Sequence, residues 1–373
     1  MPVTRNHVLA DASIGSSRRL TSWHFGSPGS GTKAYIQASL HADELPGMLV
    51  AHHLRQRLAI LESEGRLQGE VVLVPVSNPI GLSQGILHRP LGRFEALSGE
   101  NFNRNHLQWF DRVRARVEPG LNDDPAHNVR VIRQALGAEI DALPEPTELA
   151  SLRKCLIRLA HDADLVLDLH CDAEAVLHLY VQTPGWPRLQ PLAQYLGAEA
   201  VLLNQQPGGH SFDEALGGPW WQLAEHFAGR HPIPIACVDT TVELRGQADV
   251  SHEHAASDAQ AILDYLQHEG VVSGQAPAPP PLRCQATPLA GSENIVAPHA
   301  GLIVFARSPG DRLEKGDLVC EIIDPLADRV TPVRASVSGV LYARTHLRYA
   351  TRGMDLADIA GSTPFRTGWL LSA

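Results

Sequence analysis

Short apolar segments that alternate with segments of helical periodicity run through residues 33–268, and this alternation limits the fold more than any other feature. KAYIQASL (33–40), EVVLVPV (70–76) and DLVLDL (164–169) read as strands, several of them apolar on both faces. Helical spacing places Val50, Leu54, Leu58 and Leu61 on one stripe of 46–61, and Leu149, Leu152, Leu156 and Leu159 on one stripe of 147–161. Further strands are expected at 175–182, 200–203 and 235–244, and further helices at 189–196, 220–228 and 253–268. The pattern predicts an α/β fold with a mixed, largely parallel sheet covered by helices. Residues 79–145, rich in Gly, Pro, Asn and Arg, are longer than a typical connection, so they are expected to form a functional segment.

The run GQAPAPPPL at 274–282 breaks the alternation, because consecutive prolines neither continue a helix nor donate to a ladder. The chain is therefore expected to divide into a catalytic domain over 1–273, a Pro-rich linker over 274–289 and a small all-β domain over 290–373. Two halves of the last part, beginning VAPHAGLIVFARSPGDRLEKGDLVCEI and VRASVSGVLYARTHLRYATRGMDLADI, resemble each other and a biotinyl/lipoyl-type barrel. Lys315 lacks the residues that flank a carrier lysine, so a structural or site-shaping role is expected for this domain. A formal net charge of −10 opposes nucleic-acid binding. No apolar run approaches the roughly 18 residues of a membrane span. The N-terminus has no secretion-signal pattern, and the five cysteines are scattered, so a cytoplasmic protein with reduced thiols is expected. Homo-oligomerisation is left open.

His41-Ala42-Asp43-Glu44 follows the first of these strands and precedes a helix that starts at Pro46, while His170 ends another apolar strand. Side chains at such strand ends point into the crevice where α/β sheets bind ligands. A catalytic zinc needs three protein ligands and an open position, which His41, Glu44 and His170 supply. Asp168 is a candidate to orient an imidazole, and Asp43 is expected to cap the following helix. Glu243, at the end of the 235–244 strand, is the candidate base, since burial would raise its pKa toward the operating pH. The competing reading is a Glu243–Arg245 surface pair. Cys171 is read as packing.

His41-x-x-Glu44, Asn103-Arg104, His170 and the Thr-x-Glu243 strand, in that order, resemble the zinc carboxypeptidase fold and its succinylglutamate desuccinylase/aspartoacylase branch. The resemblance spans about 33–268. It implies that Asn103 and Arg104 bind a substrate carboxylate, for which the planar arginine fork is suited. It also implies that an upstream arginine, Arg93 with Arg89 as rival, assists the polarised carbonyl.

These expectations combine into a zinc-dependent amidohydrolase with one Zn²⁺ per chain and Glu243 activating the water. Its expected substrate is a small N-acyl amino acid or related N-acyl amine. The alternatives are removal of a C-terminal residue from a short peptide and a non-catalytic binding module. The segment His210 to Glu214, before Trp220-Trp221, either faces the site or carries solvated loop charges.

Overall fold

The computed structural model describes residues 2–371 of the 373. Its centre is a nine-stranded sheet built from β1 (Val3–Val8), β2 (Arg19–Phe25), β3 (Lys33–Ala38), β4 (Glu70–Val74), β5 (Leu165–Asp172), β6 (His178–Gln182), β7 (Ala200–Asn204), β8 (Val238–Gly246) and β9 (Ala286–Pro288). The spatial order is β1-β2-β4-β3-β5-β8-β6-β7-β9. Strands β4, β3, β5 and β8 run parallel, as do β6, β7 and β9, and the β8–β6 junction is antiparallel. The sheet is thus mixed and largely parallel, as the alternating pattern predicts.

Strand alternation explains how the sheet is buried. Leu165, Leu167 and Leu169 of β5 enter one core together with Leu54 and Leu58 of α1 (Pro46–Ser63). Val166 enters the opposite core, with helices at 110–117, 125–141 and 148–160. Side chains two apart on a strand share a face, so Asp168 and His170 continue the Val166 side. There the apolar lining gives way to polar groups at the carboxyl ends of the parallel strands.

Four differences from the sequence reading stand out. Residues 3–8 and 19–25 form an antiparallel edge hairpin whose outer strand, VTRNHV, is too polar and exposed to leave an apolar signal. The 79–145 segment contains helices Phe110–Val117 and Pro125–Asp141, whose narrow stripes Val113/Val117 and Ile132/Leu136/Ile140 are set among charged residues. Within the expected linker, Ala286–Pro288 adds to the sheet edge beside β7, where a terminal proline disturbs no further ladder. The helix expected at 220–228 is α2 (Phe212–His226) and starts eight residues earlier. Gly217, Gly218 and Pro219 read as breakers, yet Gly217 is where this helix approaches the sheet: a Cβ there would lie 1.7 Å from Asp239 Oδ2.

Beyond residue 291, strands Ser292–Val296, Asp355–Gly361, Gly339–Arg344 and Arg312–Leu313 form one antiparallel path. Strands Arg329–Arg334, Leu318–Asp324, Gly301–Phe305 and Tyr349–Ala350 form another. They enclose a core of their own, with Ile303, Val319, Ile322, Leu341 and Ile359 inside. No helix among the described residues is long and apolar enough to cross a membrane.

Leu167 lies at the centre of the sheet with no exposed surface. Leu167→Ala should cost about 2–5 kcal/mol, the usual range for a buried leucine truncation. Urea denaturation checks this, with a lowered midpoint and an unchanged slope expected.

Candidate active site

The loop after β3 turns sharply at Ser39, whose φ is +65°, and brings His41 and Glu44 back over the strand ends. Ala42 N donates to Gly92 O at 3.0 Å, which joins this loop to the segment bearing Arg93. Glycines make the approach close: a Cβ on Gly92 would lie 2.1 Å from Asp43 N, and one on Gly81 would lie 3.0 Å from Ala42 Cβ. The N-cap of α1 is Leu45, with no side-chain cap. Asp43 therefore does not cap this helix; its carboxylate accepts from Gln247 Nε2 at 3.3 Å. Pro46 at the first helical turn needs no donor, which offsets the missing cap.

Glu44 sits between two imidazoles. Its Oε1 is 2.9 Å from His41 Nδ1 and its Oε2 is 2.7 Å from His170 Nδ1. The opposite ring nitrogens are held from behind: His41 Nε2 is 2.8 Å from Asn101 Oδ1, and His170 Nε2 is 3.0 Å from Asp168 Oδ2. With these partners behind them, both rings present Nδ1 to the Glu44 carboxylate. Asp168, fully buried, is itself held by Gln37 Nε2 at 2.9 Å, and Gln37 accepts from Tyr35 OH at 2.8 Å. The ligand atoms of His41, Glu44 and His170 lie within 4.8 Å of one another, close enough to hold one metal ion.

The electrostatics favour positive charge at this point. Burial pushes the Glu44 carboxyl up, but His41 and His170 together bring it below the ordinary carboxylate range. Burial lowers His170, yet the Asp168 and Glu44 carboxylates raise it well above the usual imidazole value. His41 is lowered by burial, with Arg93 adding to the effect, so its ring is kept in the neutral, ligating form. Two neutral-capable imidazoles and one carboxylate form the donor set of catalytic zinc sites.

Glu243 and His170 are direct neighbours across the parallel β5–β8 ladder. Burial and the Glu44 charge raise the Glu243 carboxyl well above its ordinary value. Arg245 does not pair with it: its φ is +66° and its guanidinium makes two hydrogen bonds to Asp258, at 2.8 and 3.1 Å. Arg93 Nη1 lies 3.3 Å from His41 Nδ1 and 3.5 Å from Glu44 Oε1, whereas Arg89 is exposed on a separate two-stranded ribbon. Asn103 accepts from Phe212 N at 2.8 Å, its amide nitrogen lies 3.4 Å from His170 Nε2, and Arg104 Nη1 donates to the Asn103 carbonyl at 2.8 Å. The Cys171 thiol is buried and pushed far up by burial, while its backbone N–H donates to Glu44 at 3.1 Å.

His41, Glu44, Arg93, Asn103, Arg104, His170, Cys171 and Glu243 border one cavity of about 760 Å³, and Tyr342, Arg344, Asp358 and Arg366 from the C-terminal β region form another part of its wall. That region is tied to the sheet: Val176 N donates to Tyr342 O at 2.9 Å, and Arg344 Nε donates to Glu174 at 2.6 Å. Lys315 stands apart, exposed in a turn with its backbone N–H on Ser338 Oγ. Asn101 and Gln37 went unread in the sequence because nothing local distinguishes them; the GENFNRNH stretch containing Asn101 was the available signal. The acids of residues 212–214 are not loop charges: Asp213 and Glu214 are buried in the first turn of α2 and face the cavity.

The fold and this site define an α/β protein whose His₂Glu cluster is able to hold a divalent metal. The chain belongs to the succinylglutamate desuccinylase/aspartoacylase family, whose catalytic-domain model matches residues 30–269. It is similar to the N-alpha-acetyl-L-2,4-diaminobutyric acid deacetylase of Halomonas elongata, at 24% identity over 344 residues covering 89% of this chain and 83% of that one. A crystal structure of a family protein from Shewanella amazonensis superposes with a TM-score of 0.83 at 27% identity, covering 96% of this chain and 98% of the other. One from Shewanella frigidimarina gives a TM-score of 0.84 at 24% identity over 96% and 97% of the two chains.

Asp168→Asn keeps the shape of the residue behind His170 but removes its charge. Divalent-metal affinity should fall by about 10–100-fold, the usual cost of losing such a partner. Competition with a chromophoric chelator measures it.

Proposed function

We propose that this protein is a zinc-dependent deacylase that hydrolyses the amide of a small N-acyl amino acid or related N-acyl amine. The observation that carries this reading is the His41–Glu44–His170 cluster with Glu243 next to it in strand register. One zinc per chain, held by these three residues, would supply a Lewis acid for the acyl carbonyl and lower the pKa of a water to about 7.

The chain's own residues do the rest. Asn103 and Arg104 grip the substrate carboxylate and so fix the scissile amide. Glu243, whose carboxyl is raised well above the ordinary glutamate value by burial, takes a proton from the attacking water and returns it to the departing nitrogen. Arg93 donates to the acyl oxygen as negative charge builds on it. The products are a carboxylic acid and a free amine. A cavity of about 760 Å³, walled partly by the C-terminal β region, has room for an acylated amino acid. All five cysteines are free thiols, which suits a reducing compartment, and we place the protein in the cytoplasm.

Glu243→Gln preserves size and strand fit but cannot accept a proton. Turnover should fall by about two to four orders of magnitude, with zinc content and thermal stability almost unchanged. Near-normal turnover with zinc bound would assign the base to another residue. Arg104→Ala should raise KM strongly for a carboxylate-bearing amide while the metal stays bound. Steady-state kinetics with metal analysis of the same preparations checks both.

A further inference from the structure

Loop 207–210 lies between two parts of the chain that are far apart in sequence, and one of them carries Asn103 and Arg104. On that side Asn105 N donates to Gly209 O at 3.1 Å, and His106 N donates to His210 O at 2.9 Å. The Arg104 stem lies against the same loop: a Cβ on Gly209 would stand 3.0 Å from Arg104 Cδ and 3.1 Å from its Nε. On the other side Leu370 N donates to Pro207 O at 2.8 Å, and a Cβ on Gly208 would stand 3.0 Å from Trp369 Cγ.

The loop does not hold this shape by itself. Gly208, Gly209 and His210 all have left-handed backbones, with φ of +81°, +96° and +54°. Glycine loses more conformational freedom on ordering than any other residue, and a left-handed backbone is unfavourable for a residue with a Cβ. Contacts from outside the loop must offset both costs. Charge does not fix Arg104 either: Asp213 and Glu214 attract its guanidinium while Arg93 repels it. The direction of the side chain therefore depends on where its stem is packed, and the stem is packed on Gly209.

Residues 366–371 press on the loop from the opposite side. Phe365 N and Arg366 N both donate to Ala290 O at 2.9 Å, which fastens one end of this segment. The Arg366 side chain braces it, with Nη1 donating to Ser292 O at 3.3 Å and Nη2 to Leu370 O at 2.7 Å. Leu370 is buried in one cluster with Leu202, Leu289 and Tyr342. Trp369 is 72% exposed, and what it does cover is Gly208. Pro207, Leu370 and Leu371 border the same cavity as Arg104, so loop and segment together form part of its wall.

We infer that residues 366–371 are a strap that clamps loop 207–210 against Arg104, with Trp369 and Leu370 as positioning residues for recognition of the substrate carboxylate. The inference rests on the deacylase reading for the role of Arg104 and on these contacts alone for the clamp.

Trp369→Ala tests it, an exposed change that leaves the cores intact. With the zinc-loaded enzyme and N-acetyl-leucine, KM should rise by about tenfold while kcat and zinc content stay the same, because a small misplacement of a positioning group is felt at the substrate. In an Arg104→Ala background the same substitution should change KM by less than about twofold, since the two residues act through one chain of contacts. An unchanged KM in the wild-type background, or an equal rise in both backgrounds, overturns the proposal. Hydrogen exchange of the peptide 103–107 reads the clamp without turnover. In Trp369→Ala, and in Leu370→Ala, the amides of Asn105 and His106 should exchange faster than in the wild type. Unchanged exchange in both variants sinks the clamp whatever the kinetics show. Faster exchange in an enzyme that hydrolyses no N-acyl amino acid would uphold the clamp and sink the deacylase reading.

Discussion

Everything at the site depends on the parallel registration of three strands. Gln37 of β3 lies opposite Asp168 of β5, Asp168 lies opposite Thr241 of β8, and His170 lies opposite Glu243. Parallel pairing keeps residues of like polarity level with one another, so the carboxyl ends of all three strands turn polar at the same height. A one-residue slip of β5 would move His170 and Asp168 to the other face and bury leucine at the site. The leucine row at 165, 167 and 169, packed against α1, forbids that slip. Hydrophobic packing on one face of the sheet thereby sets the geometry of the His170–Glu243 pair on the other.

The polar chain running back from the metal cluster has a related logic. Tyr35, Gln37, Asp168 and His170 are linked in sequence through hydrogen bonds and a close ion pair, all within the buried layer. A buried charge such as Asp168 persists only where partners compensate its desolvation. The imidazole it holds is correspondingly fixed in orientation, and the Glu44 carboxylate finds both Nδ1 atoms already aimed at it. Preorganisation of this kind spares the site the entropy of assembling its ligands one by one.

The C-terminal β region adds what the sheet alone lacks. An open α/β crevice is accessible from above, and here Tyr342, Arg344, Asp358 and Arg366 wall one side of it. The ion pair between Arg344 and Glu174 anchors that wall to the residues just past β5. The cavity wall is thus made by two parts of the chain well separated in sequence, with α2 supplying Asp213 and Glu214 and residues beyond 340 supplying the cover.

The sequence alone determined the central strands, because runs such as DLVLDL have no stable place except a sheet buried on both faces. It also determined which residues stand at the ends of those strands, so His41, Glu44, His170 and Glu243 were legible as a set. Arg93 and Asn103-Arg104 were legible only through resemblance. Tertiary structure decided the rest, for reasons that no local pattern encodes. Arg245 left Glu243 because a left-handed backbone turned it to Asp258. The Gly217-Gly218-Pro219 run continued a helix because the sheet required a close approach at Gly217. Asp213 and Glu214 looked like loop charges because their burial comes from elements far away in the chain, such as Thr241 on β8. Periodicity reports which face of an element is apolar; only the packing of elements decides which polar groups are brought together and shut away from water.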